Sequence, residues 1–161
     1  MTTNYHHELE EWKKYVGAII LGFGDIELIT LKCLKTFPKD NIYNSVATLP
    51  LGRRIDLILN ILSIRNEEPD IGDILKHLRR VKELSKYRNL LAHNPLMANV
   101  YEHQESNKIV VKNLISSIRN GKKAINLAEI EELAAEVEML TAELWMLISN
   151  VTETDQINTK L

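Results

Sequence analysis

Toward the C-terminal end of the chain, Leu127, Ile130, Ala134, Val137, Leu144, Ile148 and Val151 recur at steps of three and four or their sum. That spacing puts apolar side chains on one face of an α-helix, so this segment must bury one side of a long helix. Leu133, Leu140 and Leu147 widen the stripe, so it can pack against more than one neighbour. The start is equally explicit: Asn126 can cap the helix, and Glu129 falls where the acid of a capping box belongs. After Thr152 the sequence turns polar, and residues 152–161 are expected to form a flexible tail.

The same period appears earlier. From about Glu8 to Phe37, the residues Trp12, Val16, Ile19, Ile20, Phe23, Ile26, Leu31, Leu34 and Phe37 form a broad stripe and predict one long helix. Gly17, Gly22 and Gly24 lie inside it and predict a kink or a close helix crossing. Gly22-Phe23-Gly24 makes a poor phosphate loop, because no strand precedes it. Pro38-Lys39-Asp40-Asn41 breaks the pattern, and Leu51, Ile55, Ile58 and Leu62 mark a second, shorter helix, closed by Arg65 to Asp70. A third runs from about Asp70 to His93 on Ile74, Leu78, Val81 and Leu84. It stops because Asn94 precedes a proline and is disfavoured in α geometry. Between Leu96 and Asn113 the period disappears, and Ala98–His103 and Lys108–Lys112 flank the polar turn Gln104-Glu105-Ser106-Asn107, which predicts a β-hairpin. The expectation is an all-α bundle of four to five helices with a short hairpin insertion, residues 98–112, before the last helix.

With 161 residues and 45% apolar content, the chain suits a single domain spanning 1–161. A net charge of −2 gives no global basic field for holding nucleic acid, so any RNA contact has to be local. The polar start Met1 to His7 lacks the basic and apolar parts of a signal peptide, and no apolar run is long enough to span a bilayer. A soluble, cytoplasmic protein without membrane contact is expected. Cys33 is the only cysteine, which excludes a disulfide framework and points to a buried, inert thiol. His6, His7, His77 and His103 show no ligand spacing, so no metal or cofactor is expected.

Arg88-Asn89-Leu90-Leu91-Ala92-His93 carries the densest chemistry. Asn89 and His93 are four apart and share a helix face, and Arg88 lies about 100° of rotation from Asn89. Phosphate chemistry uses each of these groups: arginine as a fork of donors, histidine as proton acceptor and donor, asparagine as a neutral orienting group. Geometry also allows an ordinary structural role, in which Arg88 pairs with an acid, Asn89 helps end the helix and His93 benefits from the helix dipole.

The same residues, within Tyr87 to Asn94, resemble the arginine, polar residue, then histidine signature of HEPN domains. These are small helical bundles found in prokaryotic toxins, antiphage systems and eukaryotic RNA-processing proteins. The long first helix, the motif near the end of a later helix and the acid-capped final helix follow the order of that family across most of the chain. The resemblance implies a homodimer that joins two motifs in one composite site and cleaves RNA without metal. It implies His93 in general acid or base catalysis, Arg88 stabilising charge on the phosphate, and Asn89 holding His93 or the phosphate. The implied products are a 2′,3′-cyclic phosphate and a 5′-hydroxyl, and the implied setting is a toxin or antiphage effector held by a cognate antitoxin or regulatory protein. Many HEPN domains are instead catalytically inactive modules for dimerisation or for binding a nucleotide or protein, and that alternative stays open. So does an all-α adaptor whose motif is only a helix end.

Two further features bear on this site. On a wheel with Glu27 at the origin, Val16, Ile20, Phe23, Leu31 and Leu34 fall within about 40° of it, which places a carboxylate within an apolar stripe. A buried acid needs a partner, and Arg88 is the first candidate, followed by Arg53 or Arg54. A kink at Gly22 to Gly24 that lets Glu27 reach water is the other reading. The third helix carries Lys76, Arg79, Arg80, Lys82, Lys86 and Arg88, against Glu129, Glu131, Glu132, Glu136, Glu138 and Glu143 on the last. Those charges either offer RNA a basic approach or neutralise each other within the bundle or across a dimer.

Overall fold

The computed structural model describes residues 2–38, 41–103, 108–118 and 123–158. The elements are α1 (Thr2–Thr36), α2 (Tyr43–Val46), α3 (Leu51–Leu62) with a 3-10 turn at Ser63–Arg65, α4 (Pro69–His93), β1 (Leu96–His103), β2 (Lys108–Ser116), β3 (Ala124–Ile125) and α5 (Leu127–Asn158). The fold is mostly helical with a small antiparallel sheet of order β1-β2-β3. None of the helices among the described residues is long and apolar enough to cross a membrane.

Local chemistry explains the main boundaries. α3 occupies the span its apolar spacing predicts, and α4 begins on Pro69, whose missing N–H costs nothing in a first turn. α4 ends at His93, immediately before the Asn94-Pro95 step. At the start of α5, Asn126 Oδ1 accepts from the Glu129 amide at 3.0 Å, and Glu129 Oε2 accepts from the Asn126 amide at 2.8 Å, which closes the expected capping box. α5 continues to Asn158, into the stretch expected as a tail from 152, because each added residue of an established helix gains a hydrogen bond without a new nucleation cost. The part of that tail beyond Asn158 lies outside the described residues.

The hairpin is longer than the sequence suggests. β1 pairs with β2 from Leu96↔Ile115 through Val100↔Val111 to His103↔Lys108, and β3 adds Ile115↔Ile125. The expected turn at Gln104 to Asn107 lies outside the described residues. Ile115 and Ile125, cross-strand partners, are both buried, so the third strand seals the apolar base of the sheet.

The chain divides into two compact units. Unit 1 comprises Met1–Ile20 and Lys86–Glu136. Its buried residues include Trp12, Ile19, Leu90, Leu91, Ile115, Ile125 and Ile130. Asn113 Nδ2 donates to Glu8 Oε1 at 2.9 Å and ties β2 to α1. Unit 2 comprises Leu21–Ser85 and Val137–Leu161. Its core gathers Phe23, Ile26 and Ile29 of α1, Ile55 and Ile58 of α3, Ile74 and Leu78 of α4, and Leu144 and Ile148 of α5. Cys33 is buried there, and burial pushes its thiol up to about 12, so it stays protonated and unreactive at neutral pH.

Within unit 2, α1 continues unbroken through Gly22 and Gly24, and Gly22 makes a close crossing. A Cβ on Gly22 would lie 2.6 Å from Val137 Cγ1, whereas Gly24 has nothing within 4 Å. Lys32 Nζ sits 5.1 Å from the Trp145 ring centroid, so α1 and α5 run in the same direction here.

Candidate active site

In unit 1, the last two turns of α4 are anchored by Leu90 and Leu91, both buried. Their burial fixes the rotation of the helix and turns Asn89 and His93 outward, with Arg88 half-buried beside them. Arg88 Nη1 donates to Asn89 Oδ1 at 3.3 Å, so the arginine lies across the adjacent amide. Lys86 adds a second cation, with Nζ 5.0 Å from the Tyr87 ring centroid.

His93, the last residue of α4, opens onto a cleft of about 550 Å³ that it lines with Asn94, Ser117 and Ile118. Asn94 Nδ2 donates to Leu90 O at 2.8 Å, and Asn94 Oδ1 accepts from the Ile118 amide at 3.1 Å. Sequence reasoning assigns Asn94 only the task of stopping the helix. Its second hydrogen bond reaches 24 residues along the chain, beyond any local spacing signal.

Glu27 belongs to unit 2, and its placement differs from the wheel. Its carboxylate accepts from Arg54 Nη2 at 3.3 Å, and Arg54 Nη1 also donates to Glu27 O at 3.3 Å. Arg54, a second-choice partner from the sequence, is the buried member, with 6% side-chain exposure against 38% for Glu27. The expected carboxylate in the middle of a buried stripe is therefore corrected. Trp12, Phe23, Ile26, Thr30 and Cys33 are buried, and at 100° per residue their arc is centred about 80° from Glu27. Val16, Ile20 and Leu31, which the wheel places around Glu27, are only half-buried. Glu27 stands at the rim, where it reaches both water and Arg54.

The basic run on α4 is partly spent on local acids. Arg80 Nη1 pairs with Glu83 Oε2 at 2.9 Å, and Lys82 Nζ pairs with Asp56. His77 Nε2 meets Glu143 Oε2 of α5 at 2.8 Å, so one point of the acidic last helix is matched to α4 within unit 2. Lys76, Arg79 and Lys86 remain exposed. Among the described residues, no three His, Cys, Asp or Glu side chains gather closely enough to hold a metal ion.

The helix end thus carries a guanidinium and an amide joined by a hydrogen bond, and an exposed imidazole that lines the cleft. Such a set can bind a phosphodiester, orient it and move a proton. Compared with known proteins, the chain matches no family model, no curated protein and no solved structure.

Proposed function

We propose that the protein is a HEPN-like, metal-independent endoribonuclease that works as a homodimer, with Arg88, Asn89 and His93 of each copy contributing to one composite site. The observation that carries this reading is the rotation of α4. Leu90 and Leu91 hold the helix against the core of unit 1, and this presents Asn89 and His93 to solvent with Arg88 hydrogen-bonded alongside.

The chemistry follows from the groups. The RNA 2′-oxygen attacks the adjacent phosphorus as its proton is taken up, the bond from phosphorus to the 5′-oxygen breaks, and that oxygen receives a proton. His93 takes or supplies a proton, and two copies of the imidazole cover both transfers. Arg88 meets the charge that builds on the non-bridging oxygens, and Asn89 holds the arginine in place through the 3.3 Å bond. Exposed Lys86 gives the substrate a local electrostatic approach. An effector of this kind needs restraint in the cell, which a cognate antitoxin or other regulatory protein supplies.

Incubating the purified protein with single-stranded RNA in a chelator tests the reading. Cleavage that disappears in His93→Ala, with circular dichroism unchanged, supports it, as does a solution mass twice that of the chain. Cleavage that persists in His93→Ala or requires a divalent ion overturns it. A dimer that binds nucleotide without cutting any RNA marks a binding module instead.

A further inference from the structure

Resting on that reading for the identity of the ligand, we infer that the cleft beside His93 is the ribonucleotide-binding subsite of the same centre, and that Asn94 is the positioning residue holding its two walls together.

One wall is the end of α4. A helix that stops leaves its last carbonyls without intrahelical partners, and Pro95 has no N–H to offer. Asn94 fills part of that gap with its side chain, donating from Nδ2 to Leu90 O at 2.8 Å. The other wall is the segment leaving β2, and the opposite end of the same amide accepts its Ile118 N–H at 3.1 Å. A single half-buried side chain therefore joins the two walls. The second wall has an anchor of its own, since the Ser117 amide donates to Lys123 O at 2.9 Å and links it to the approach to β3.

The contents of the cleft point to a nucleotide. At about 550 Å³ it falls within the range of roughly 300–1,000 Å³ that small-molecule sites occupy. His93 stands at one side, where a phosphate and its hydroxyl neighbour can be served. Ile118 lies on the other, 71% exposed although its backbone is pinned by Asn94. An exposed apolar side chain lining the cleft across from His93 suits the flat face of a base and does not depend on which base it is. A ribonucleotide has those two ends, and the Asn94 bridge sets the distance between the groups that meet them.

The test uses the full-length protein with uridine 3′-monophosphate and adenosine 3′-monophosphate as probes, followed by NMR of the Ile118 methyl and His93 ring signals. Both signals are expected to shift saturably with each nucleotide. Asn94→Ala is expected to weaken binding by about five- to tenfold, as loss of a bridging hydrogen-bonded group does. Ile118→Ser alters an exposed side chain and so leaves the core intact. It is expected to weaken binding several-fold, which keeps the test decisive even if Asn94→Ala does not fold. In RNA cleavage, Asn94→Ala lowers kcat and raises KM together, whereas Ile118→Ser acts mainly on KM. Shifts outside the cleft, absence of binding, equal binding by inorganic phosphate, or wild-type affinity in both variants overturns the inference. Nucleotide binding in the cleft without RNA cleavage leaves the subsite standing and removes the nuclease reading. Cleavage with the nucleotide bound elsewhere does the reverse.

Discussion

Arg54 reaches Glu27 twice, through Nη2 to the carboxylate at 3.3 Å and through Nη1 to the backbone carbonyl at 3.3 Å, and so fastens α3 to α1 from a buried position. Removing the acid leaves a buried guanidinium with one acceptor fewer. Glu27→Ala is expected to lower unfolding free energy by about 1–3 kcal/mol, toward the lower end because water already reaches the carboxylate. Urea denaturation should show Glu27→Gln/Arg54→Met losing less than the sum of the two single changes, since the double variant no longer buries a charge. Additive losses would rule out the coupling.

The two glycines of α1 in unit 2 are expected to respond in opposite directions. Alanine at exposed Gly24 meets open space and gains up to about 1 kcal/mol of helix propensity. At Gly22 the new methyl falls 2.6 Å from Val137 Cγ1, and a β-branched side chain in a helix has little rotamer freedom with which to move aside. Overpacking of this kind costs about 1–3 kcal/mol and outweighs the propensity gain. Chemical denaturation of Gly22→Ala and Gly24→Ala reads the contrast, and equal stabilisation of both contradicts the close crossing.

Tyr15 supplies a pH signature inside unit 1. Its hydroxyl donates to Glu131 Oε1 at 2.7 Å, and that hydrogen bond, with burial next, pushes the phenol from 10.0 up to about 12. The folded state holds this proton more tightly than the unfolded one. The bond's contribution is therefore complete below pH 10.0 and fades as pH rises through about 12. Ultraviolet titration of tyrosinate should show one of the five tyrosines ionising near pH 12 in the native protein. That transition should vanish in Tyr15→Phe and move down in Glu131→Gln. A late transition that survives both substitutions belongs to another tyrosine and refutes the assignment.

Much of this architecture is legible because it is local. The span of α3 follows from Leu51, Ile55, Ile58 and Leu62, the end of α4 from Asn94-Pro95, and the start of α5 from the Asn126 and Glu129 pair. Four-residue α2 and two-residue β3 are too short to carry a period. Glu27 shows the limit of a helical wheel, which counts apolar residues on one helix and omits Thr30 and Cys33, both buried. Nor can a wheel choose among arginines on other elements, so Arg54 emerges only from the packing of unit 2. In the site, the spacing of Asn89 and His93 already places them on one face. Their outward rotation depends on the burial of Leu90 and Leu91, and the cleft depends on a bond from Asn94 to a segment beyond the hairpin.

The central claim is that the end of α4 cleaves RNA with its own side chains, and the chemical ends of the products test it most directly. In a chelator, end-group analysis of RNA treated with wild-type protein should find 2′,3′-cyclic phosphate and 5′-hydroxyl termini, with none above background for His93→Ala. Products bearing 5′-phosphate and 3′-hydroxyl ends, or cyclic phosphate formed equally by His93→Ala, would contradict it.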